Sequence, residues 1–509
     1  MTAKQKKKKS KKSLIFSSLG IFLILILIIS LLSIIGFEGQ KTSIVSESLE
    51  TTLVTIRNVL SLKGFQFIFN NIINNFSGFE PLFVILISLV GIGVAEISGL
   101  FKAFFSKFRT TKFNTIIIFT LFISIISSIF GEYSFAIVLP LVGVFYKNVG
   151  KNPAIGLLVS FFGLTIGQGA ALLFGYDNYL LGNLTQTAAR VEVDKNYSYD
   201  VLSTLYISVG SLITVLLVGL VIISKMLLPK FTKSYNLSEE VNEVIESRKA
   251  KKISLIAFAI MILLTIYAIL PGLPLSGWLL NQNEEQYIAQ LFGYNSPFRN
   301  SFVFIVSSML IVCGYIYGKV SNNIKDNKIY TDNLSNVFDG LGLMFILSFI
   351  FIQLSAIAQW TGIGEVIATN LIDILTKFQL SGIPLIVLFV MSTIIISLFI
   401  PSLLDKWILI SPLIVPLFMR ANIAPEFTQF IYCVSSGIGQ ALTPLFGYFV
   451  ILIALLRKYN NRNGQFDSFG NFYKIILPIV MTFILLWLLI IISWYISGLP
   501  IGVGGLATL

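Results

Sequence analysis

The chain has 509 residues, of which 55% are hydrophobic and only 12% charged, and it carries a formal net charge of +12. Several runs of about twenty apolar residues, the length that spans a bilayer core, mark a polytopic membrane protein and exclude a soluble multidomain enzyme. There is no histidine, and the two cysteines, Cys313 and Cys433, both lie in apolar segments, which excludes a disulfide framework, zinc motifs and His-based triads or proton relays.

In chain order, the N-terminus "MTAKQKKKKSKK" (1–12) places seven lysines directly before an apolar run at 14–37. That run spans 24 residues and has no small-residue cleavage site, so it reads as a retained helix with a cytoplasmic polybasic tail rather than as a signal peptide. Further clear runs lie at 81–101, 201–224, 253–270, 302–318, 341–359 and 475–497, and more apolar sequence fills 113–177 and 383–456.

The basic residues alternate from loop to loop. The tail and the loops at 102–112, 225–252, 319–328 and 457–474 hold 25 of the 36 Lys and Arg, whereas the intervening loops at 38–77, 178–200 and 272–300 hold six. This positive-inside pattern selects one orientation, with the N-terminus cytoplasmic and the C-terminus outside. A nucleic-acid surface would not be distributed in this way, so no nucleic-acid partner is expected.

Orientation imposes parity on the two ambiguous regions. The region 113–177 starts inside and ends outside, and 383–456 runs the other way, so each crosses an odd number of times. One spanning helix plus a re-entrant hairpin of two short arms is the simplest solution for each. The expected architecture is an all-α bundle of about nine spanning helices and two re-entrant hairpins.

The two regions are also copies of one another. "IGQGAALLFGY" at 166–176 returns as "IGQALTPLFGY" at 438–448 with seven of eleven positions identical, and a shift of 272 also carries Pro140 onto Pro412 and Pro153 onto Pro425. Copies inserted with opposite orientation form the inverted-repeat plan of secondary transporters, in which broken helices from the two halves meet near the midplane. The halves are then 13–224, with the repeat at 113–177, and 253–509, with the inverted copy at 385–456, joined by the cytoplasmic loop at 225–252.

In the first copy Gly167, Gln168 and Gly169 interrupt an apolar stretch. In the second, Gln440 precedes Thr443 and Pro444. Both strings can break a helix and free backbone groups, which survive at membrane depth only where protein or a wet cavity covers them. The glutamine amides supply donors and acceptors without a buried charge, either for a solute and coupling ion or as ties between helices. Ionisable residues near membrane depth are Glu96, Glu132, Asp177, Asp405 and Lys406, each a candidate for function or for an interfacial position. No P-loop, nucleotide fingerprint or nucleophile elbow occurs, which disfavours ATP-driven pumping and a membrane enzyme.

Through "NFSGFEP", "GIGVAEISGL", "LSGIP", "KWILISPLIVPLFM" and "WYISGLPIG", over roughly residues 13–505, the chain resembles the p-aminobenzoyl-glutamate transporter (AbgT) family. The resemblance implies nine helices and two hairpins, a homodimer in the bacterial plasma membrane, and ion-driven movement of folate-pathway metabolites or sulfonamide-type antimetabolites. It also implies site roles for Glu132, Trp407 and Pro425. The family acid after the first broken helix aligns with Asn178, leaving Asp177 one position early. Its paired Arg and Asp fall on Cys433 and Ser436, and its asparagines fall on Ser397 and Ala171. Loss of both partners of a buried ion pair is nearly neutral, whereas loss of one costs about 3 to 5 kcal/mol, so the fold can persist while the cargo changes. The expected function is ion-coupled secondary transport of a small organic solute; a passive channel or facilitator is the alternative. The coupling ion is Na⁺ or H⁺, Na⁺ lying near the breaks, and no organic cofactor is expected.

Overall fold

The computed structural model describes residues 14–45, 48–231, 247–293, 295–459, 466 and 468–509. The polybasic tail at 1–12 and most of the 225–252 loop lie outside the described residues.

The first half begins with helix α1 (Leu14–Ile35), a β-hairpin of β1 (Glu38–Val45) and β2 (Ser48–Thr55), then α2 (Leu62–Ser77), α3 (Glu80–Ile97) and the short α4 (Leu100–Phe105). The first copy of the repeat holds α5 (Phe113–Ser127), α6 (Tyr133–Val149), α7 (Pro153–Leu164) and the start of α8 (Tyr176–Glu192), and α9 (Leu205–Ile222) follows. The second half opens with α10 (Arg248–Ile269), α11 (Tyr287–Phe292), α12 (Pro297–Val320), α13 (Asn327–Ser335), α14 (Gly342–Thr361) and α15 (Ile363–Lys377). It ends with α16 (Gly382–Ser397), α17 (Leu403–Arg420), α18 (Pro425–Gln440), α19 (Gly447–Tyr459) and α20 (Phe469–Ser497).

Serine hydroxyls start many of these helices by accepting a first-turn N–H, as Ser61, Ser247, Ser296 and Ser468 do for α2, α10, α12 and α20. Among the described residues, eight helical stretches are long and apolar enough to cross a membrane. The ninth expected crossing corresponds to α16, a shorter apolar helix of 16 residues. The β-hairpin, paired from Glu38↔Thr55 to Val45↔Ser48, occupies what composition showed only as an outer loop, and it packs on α15 and α17.

The 272-residue shift holds at the level of elements. It carries the first residue of α7, Pro153, onto the first residue of α18, Pro425, and places α6 on α17 and the start of α8 next to that of α19. The packing is equivalent too. Helix α5 lies against α7 as α16 lies against α18, while α8 packs on α17 and α18, and α19 packs on α6 and α7. Each copy therefore sends its last helix across to the hairpin of the other. The core follows this exchange: Trp407, Tyr146, Tyr432 and Tyr448, all fully buried, come from α17, α6, α18 and α19.

Candidate functional site

Helix α7 stops at Leu164, the chain turns through 165–175, and α8 begins at Tyr176. Gly169 has a φ of +92°, a conformation that side-chain-bearing residues rarely adopt, so this glycine makes the turn possible. In the second copy α18 stops at Gln440 and α19 begins at Gly447. The two breaks touch. The Gln168 amide Nε2 donates to Gln440 Oε1 at 3.0 Å, and Gln440 Nε2 donates to the Pro401 carbonyl at 2.9 Å.

Close backbone approach allows this contact. A Cβ on Gly437 would stand 2.2 Å from the Thr165 carbonyl oxygen, and one on Gly439 would stand 2.3 Å from Ser397 Cβ. Groups freed by the breaks find partners from neighbouring elements: Trp487 Nε1 donates to the Ile166 carbonyl at 2.8 Å, the Ala171 N–H to the Ser208 carbonyl at 3.2 Å, and Thr443 Oγ1 to the Leu398 carbonyl at 2.7 Å. This is the cover that interrupted helices need at membrane depth.

Two cavities adjoin the breaks. The smaller, about 50 Å³, is lined by Gln168, Gly169, Asp177, Asn178, Gln429 and Cys433 among others and has room for a few waters. The larger, about 320 Å³, is lined among others by Glu80, Glu132, Asp177, Arg299, Asp405 and Tyr448. Asp177 borders both. Glu132 thus belongs to the larger cavity, and Asp177 is what connects it with Gln168. In that cavity the Arg299 guanidinium lies over the Tyr176 ring at 3.7 Å and within 5.5 Å of the Tyr133 ring, and the Tyr133 hydroxyl donates to Glu80 Oε1 at 2.8 Å.

The remaining sequence candidates divide into wall and frame. Asn178 Oδ1 accepts from the Gly175 N–H at 3.1 Å, capping α8 while its residue borders the smaller cavity. Trp407 lies in the frame, with its ring 4.3 Å from that of Tyr432 and its Nε1 donating to Thr185 Oγ1 at 3.0 Å. Pro425 opens α18, Ser436 is buried one turn beyond Tyr432, and Pro444 lies within the second break. A Cβ on Gly167 would meet the Gly163 carbonyl at 2.2 Å. Glu96 pairs with Lys147 at 2.6 Å, away from the breaks.

Other polar residues at the site escaped sequence reading. Thr185 Oγ1 donates to Gln429 Oε1 at 2.6 Å, and Gln429 Nε2 donates to the Tyr199 hydroxyl at 3.0 Å. Burial pushes the Tyr199 phenol up, so it stays a neutral hydroxyl. By the 272 shift Gln429 falls on Leu157, so no repeat signal marks it. Arg299 looked like a loop charge. Lys406, one of the ionisable residues at membrane depth, is fully buried: its Nζ donates to Ser397 Oγ at 2.6 Å and to the Ile400 carbonyl at 3.2 Å. Positions 433 and 436 hold Cys and Ser, and Arg299 and Lys406 bring basic side chains to this region from α12 and α17.

The sequence model of the AbgT putative transporter family matches residues 14–509. The chain is similar to the p-aminobenzoyl-glutamate transport protein of Escherichia coli (strain K12), with 27% identity over 497 residues that cover 96% of this chain and 93% of that one. It is also similar to the YdaH transporter of Alcanivorax borkumensis, at 24% identity and a TM-score of 0.48, over 96% of this chain and 99% of that one. For MtrF of Neisseria gonorrhoeae, of a class of antimetabolite efflux pumps, the identity is 24% and the TM-score 0.47, over 96% of this chain and 97% of that one.

Proposed function

We propose, since the chain belongs to the AbgT putative transporter family, that it moves a small organic solute against or along its gradient by coupling to an ion gradient, through alternating access between two inverted copies. It is a membrane transporter and not an enzyme. The observation that carries the reading is the hydrogen bond between Gln168 and Gln440, equivalent positions of the two copies, at the point where both helices break. A contact of this kind, between two interrupted helices that each half shares with the other, can be remade when the halves rock.

The solute is expected in the folate-pathway metabolite or antimetabolite class, and the larger cavity supports this. Arg299 provides a planar cation for a carboxylate, and Tyr176 and Tyr133 provide ring faces for an aromatic group. Asp177, shared by both cavities, and Glu132 are the acids placed to take part in coupling to Na⁺ or H⁺. The tally of 25 basic residues on one side supports a cytoplasmic N-terminus and an external C-terminus in the plasma membrane. By that orientation Glu80 and Arg299, next to outer loops, put the mouth of the larger cavity toward the outside. A homodimer is part of the reading.

Counterflow in proteoliposomes tests it, with labelled p-aminobenzoyl-glutamate and a labelled sulfonamide as probes. Exchange of labelled for unlabelled solute is expected for at least one. Uptake with no trans-stimulation would make the protein a channel, and movement of neither probe would remove the folate-class reading.

A further inference from the structure

Lys406 stands in the first turn of α17, at the end of the helix dipole least favourable to a cation, and it has no exposed surface. Among the described residues no carboxylate lies within ion-pair distance of it. Its two partners are neutral and can only accept, because the Ser397 hydroxyl proton is committed to the Thr393 carbonyl at 2.6 Å and Ile400 offers a carbonyl. The third direction faces the Tyr432 ring, whose centroid is 5.7 Å from Nζ. A neutral amine would use both hydrogens on the two oxygens and turn its lone pair toward the negative ring face, whereas an ammonium places a third N–H there. Hydroxyl oxygen, carbonyl oxygen and ring face together make a nest for one monovalent cation.

This nest belongs to the second break. The segment between α16 and α17 turns three carbonyls to side-chain donors, Leu398 to Thr443, Ile400 to Lys406 and Pro401 to Gln440, and Leu403, which opens α17, turns a fourth to the Tyr432 hydroxyl. Ser397 also sits against Gly439, next to Gln440. Lys406 is therefore one layer behind the amide contact that joins the two breaks. We infer that the Lys406 ammonium is the resident cation of the second helix break, a side chain that fills the nest an alkali ion would otherwise occupy, so that this break holds its shape without a bound metal ion.

The test is chemical rescue of the purified full-length protein, read by thermal melting at constant ionic strength. Lys406→Ala removes what amounts to a propylammonium ion. It is expected to melt several degrees below the native protein and to recover at least half of that loss in propylammonium, but not in choline or in 1-propanol, which is of similar size and uncharged. Equal recovery in 1-propanol, or no recovery in propylammonium, overturns the inference. Lys406→Met keeps the length without the charge and strands both acceptors, so it is expected to melt below native; melting at or above native also overturns the inference. Any Na⁺ stabilisation of the native protein is expected to persist in Ser397→Ala, and a Na⁺ stabilisation lost in that variant counts against a resident lysine. Where Lys406→Ala does not fold unaided, its folded yield with each additive is the readout. No solute is needed, so failure of transport and failure of the resident cation are distinguishable.

Discussion

Gln168 and Gln440 stand 272 residues apart in the chain, and the amide nitrogen of the first lies 3.0 Å from the amide oxygen of the second. Gln168 lies in the turn after α7 and Gln440 is the last residue of α18, and each has its own glycine-lined approach to the other copy. The pair is thus both a joint and a part of the wall, since Gln168 borders the smaller cavity.

Removing one partner leaves the other with an unmatched buried group, at a cost on the order of 1 to 3 kcal/mol. Gln168→Leu and Gln440→Leu should therefore each lower the melting temperature by a few degrees, with Gln440→Leu the worse because it also strands the Pro401 carbonyl. The double variant should be less destabilised than the sum of the singles, by about 1 kcal/mol. Counterflow per folded molecule should fall at least tenfold in either single variant. Full transport at reduced stability would make the amides packing ties.

Gly437→Ala drives a methyl group into the Thr165 carbonyl, a backbone atom that cannot rotate away. Overpacking of this kind costs roughly 1 to 3 kcal/mol. Gly342→Ala, at a position where a Cβ would meet nothing within 4 Å, is the matched control. Melting curves should separate the two, with the control unchanged and Gly437→Ala lowered.

Cys433 borders the smaller cavity, whereas Cys313 lies in a separate apolar cluster with Tyr317 and Phe101. A small thiol reagent should inhibit transport, a transported solute should slow the modification, and Cys433→Ser but not Cys313→Ser should confer resistance. Resistance from Cys313→Ser, or modification at the same rate with and without solute, would take this face of α18 out of the solute path.

Arg299 stacks on Tyr176, which a lysine cannot imitate because its ammonium has no planar face. Arg299→Lys is expected to raise KM for an anionic probe at least fivefold with little change in kcat, and Arg299→Ala to do more. An unchanged KM in both would place the solute's anionic group elsewhere.

Orientation is open to a direct check. In a Cys-free background, a cysteine at Asn196 should react with an impermeant reagent from outside and one at Lys107 should not. The reverse pattern would overturn both the topology and the inversion of the repeat.

Much of this molecule was legible because hydrophobic length and charge alternation act at the scale of whole helices. The apolar runs, the two copies and the glutamine pair all follow from such patterns. The frame of the site was not legible. The Trp407–Thr185–Gln429–Tyr199 chain joins four separate segments, two from each half, and the 272 shift gives it no counterpart, so neither periodicity nor repetition points to it. Lys406 could not be placed either, since burial or exposure of a residue in the first turn of a helix depends on what packs over it, here Ser397 and Tyr432. The β-hairpin at Glu38–Thr55 is short and polar enough to pass for loop.

The exchange of α8 and α19 between the copies bears on how the protein is made. The first break leaves the ribosome long before much of what covers it: Ser208 follows soon, but Gln168 waits for a partner 272 residues further on and the Ile166 carbonyl waits for Trp487. At roughly 5 to 20 residues per second that delay is about 15 to 55 s. During that interval the Ile166 carbonyl and the Gln168 amide lack the partners that the second half supplies. A ribosome that stalls near residue 400 therefore leaves a truncated chain, lacking Gln440 and Trp487, with an open polar wound in lipid, a natural mark for membrane quality control. Two separately expressed halves should persist only when made together.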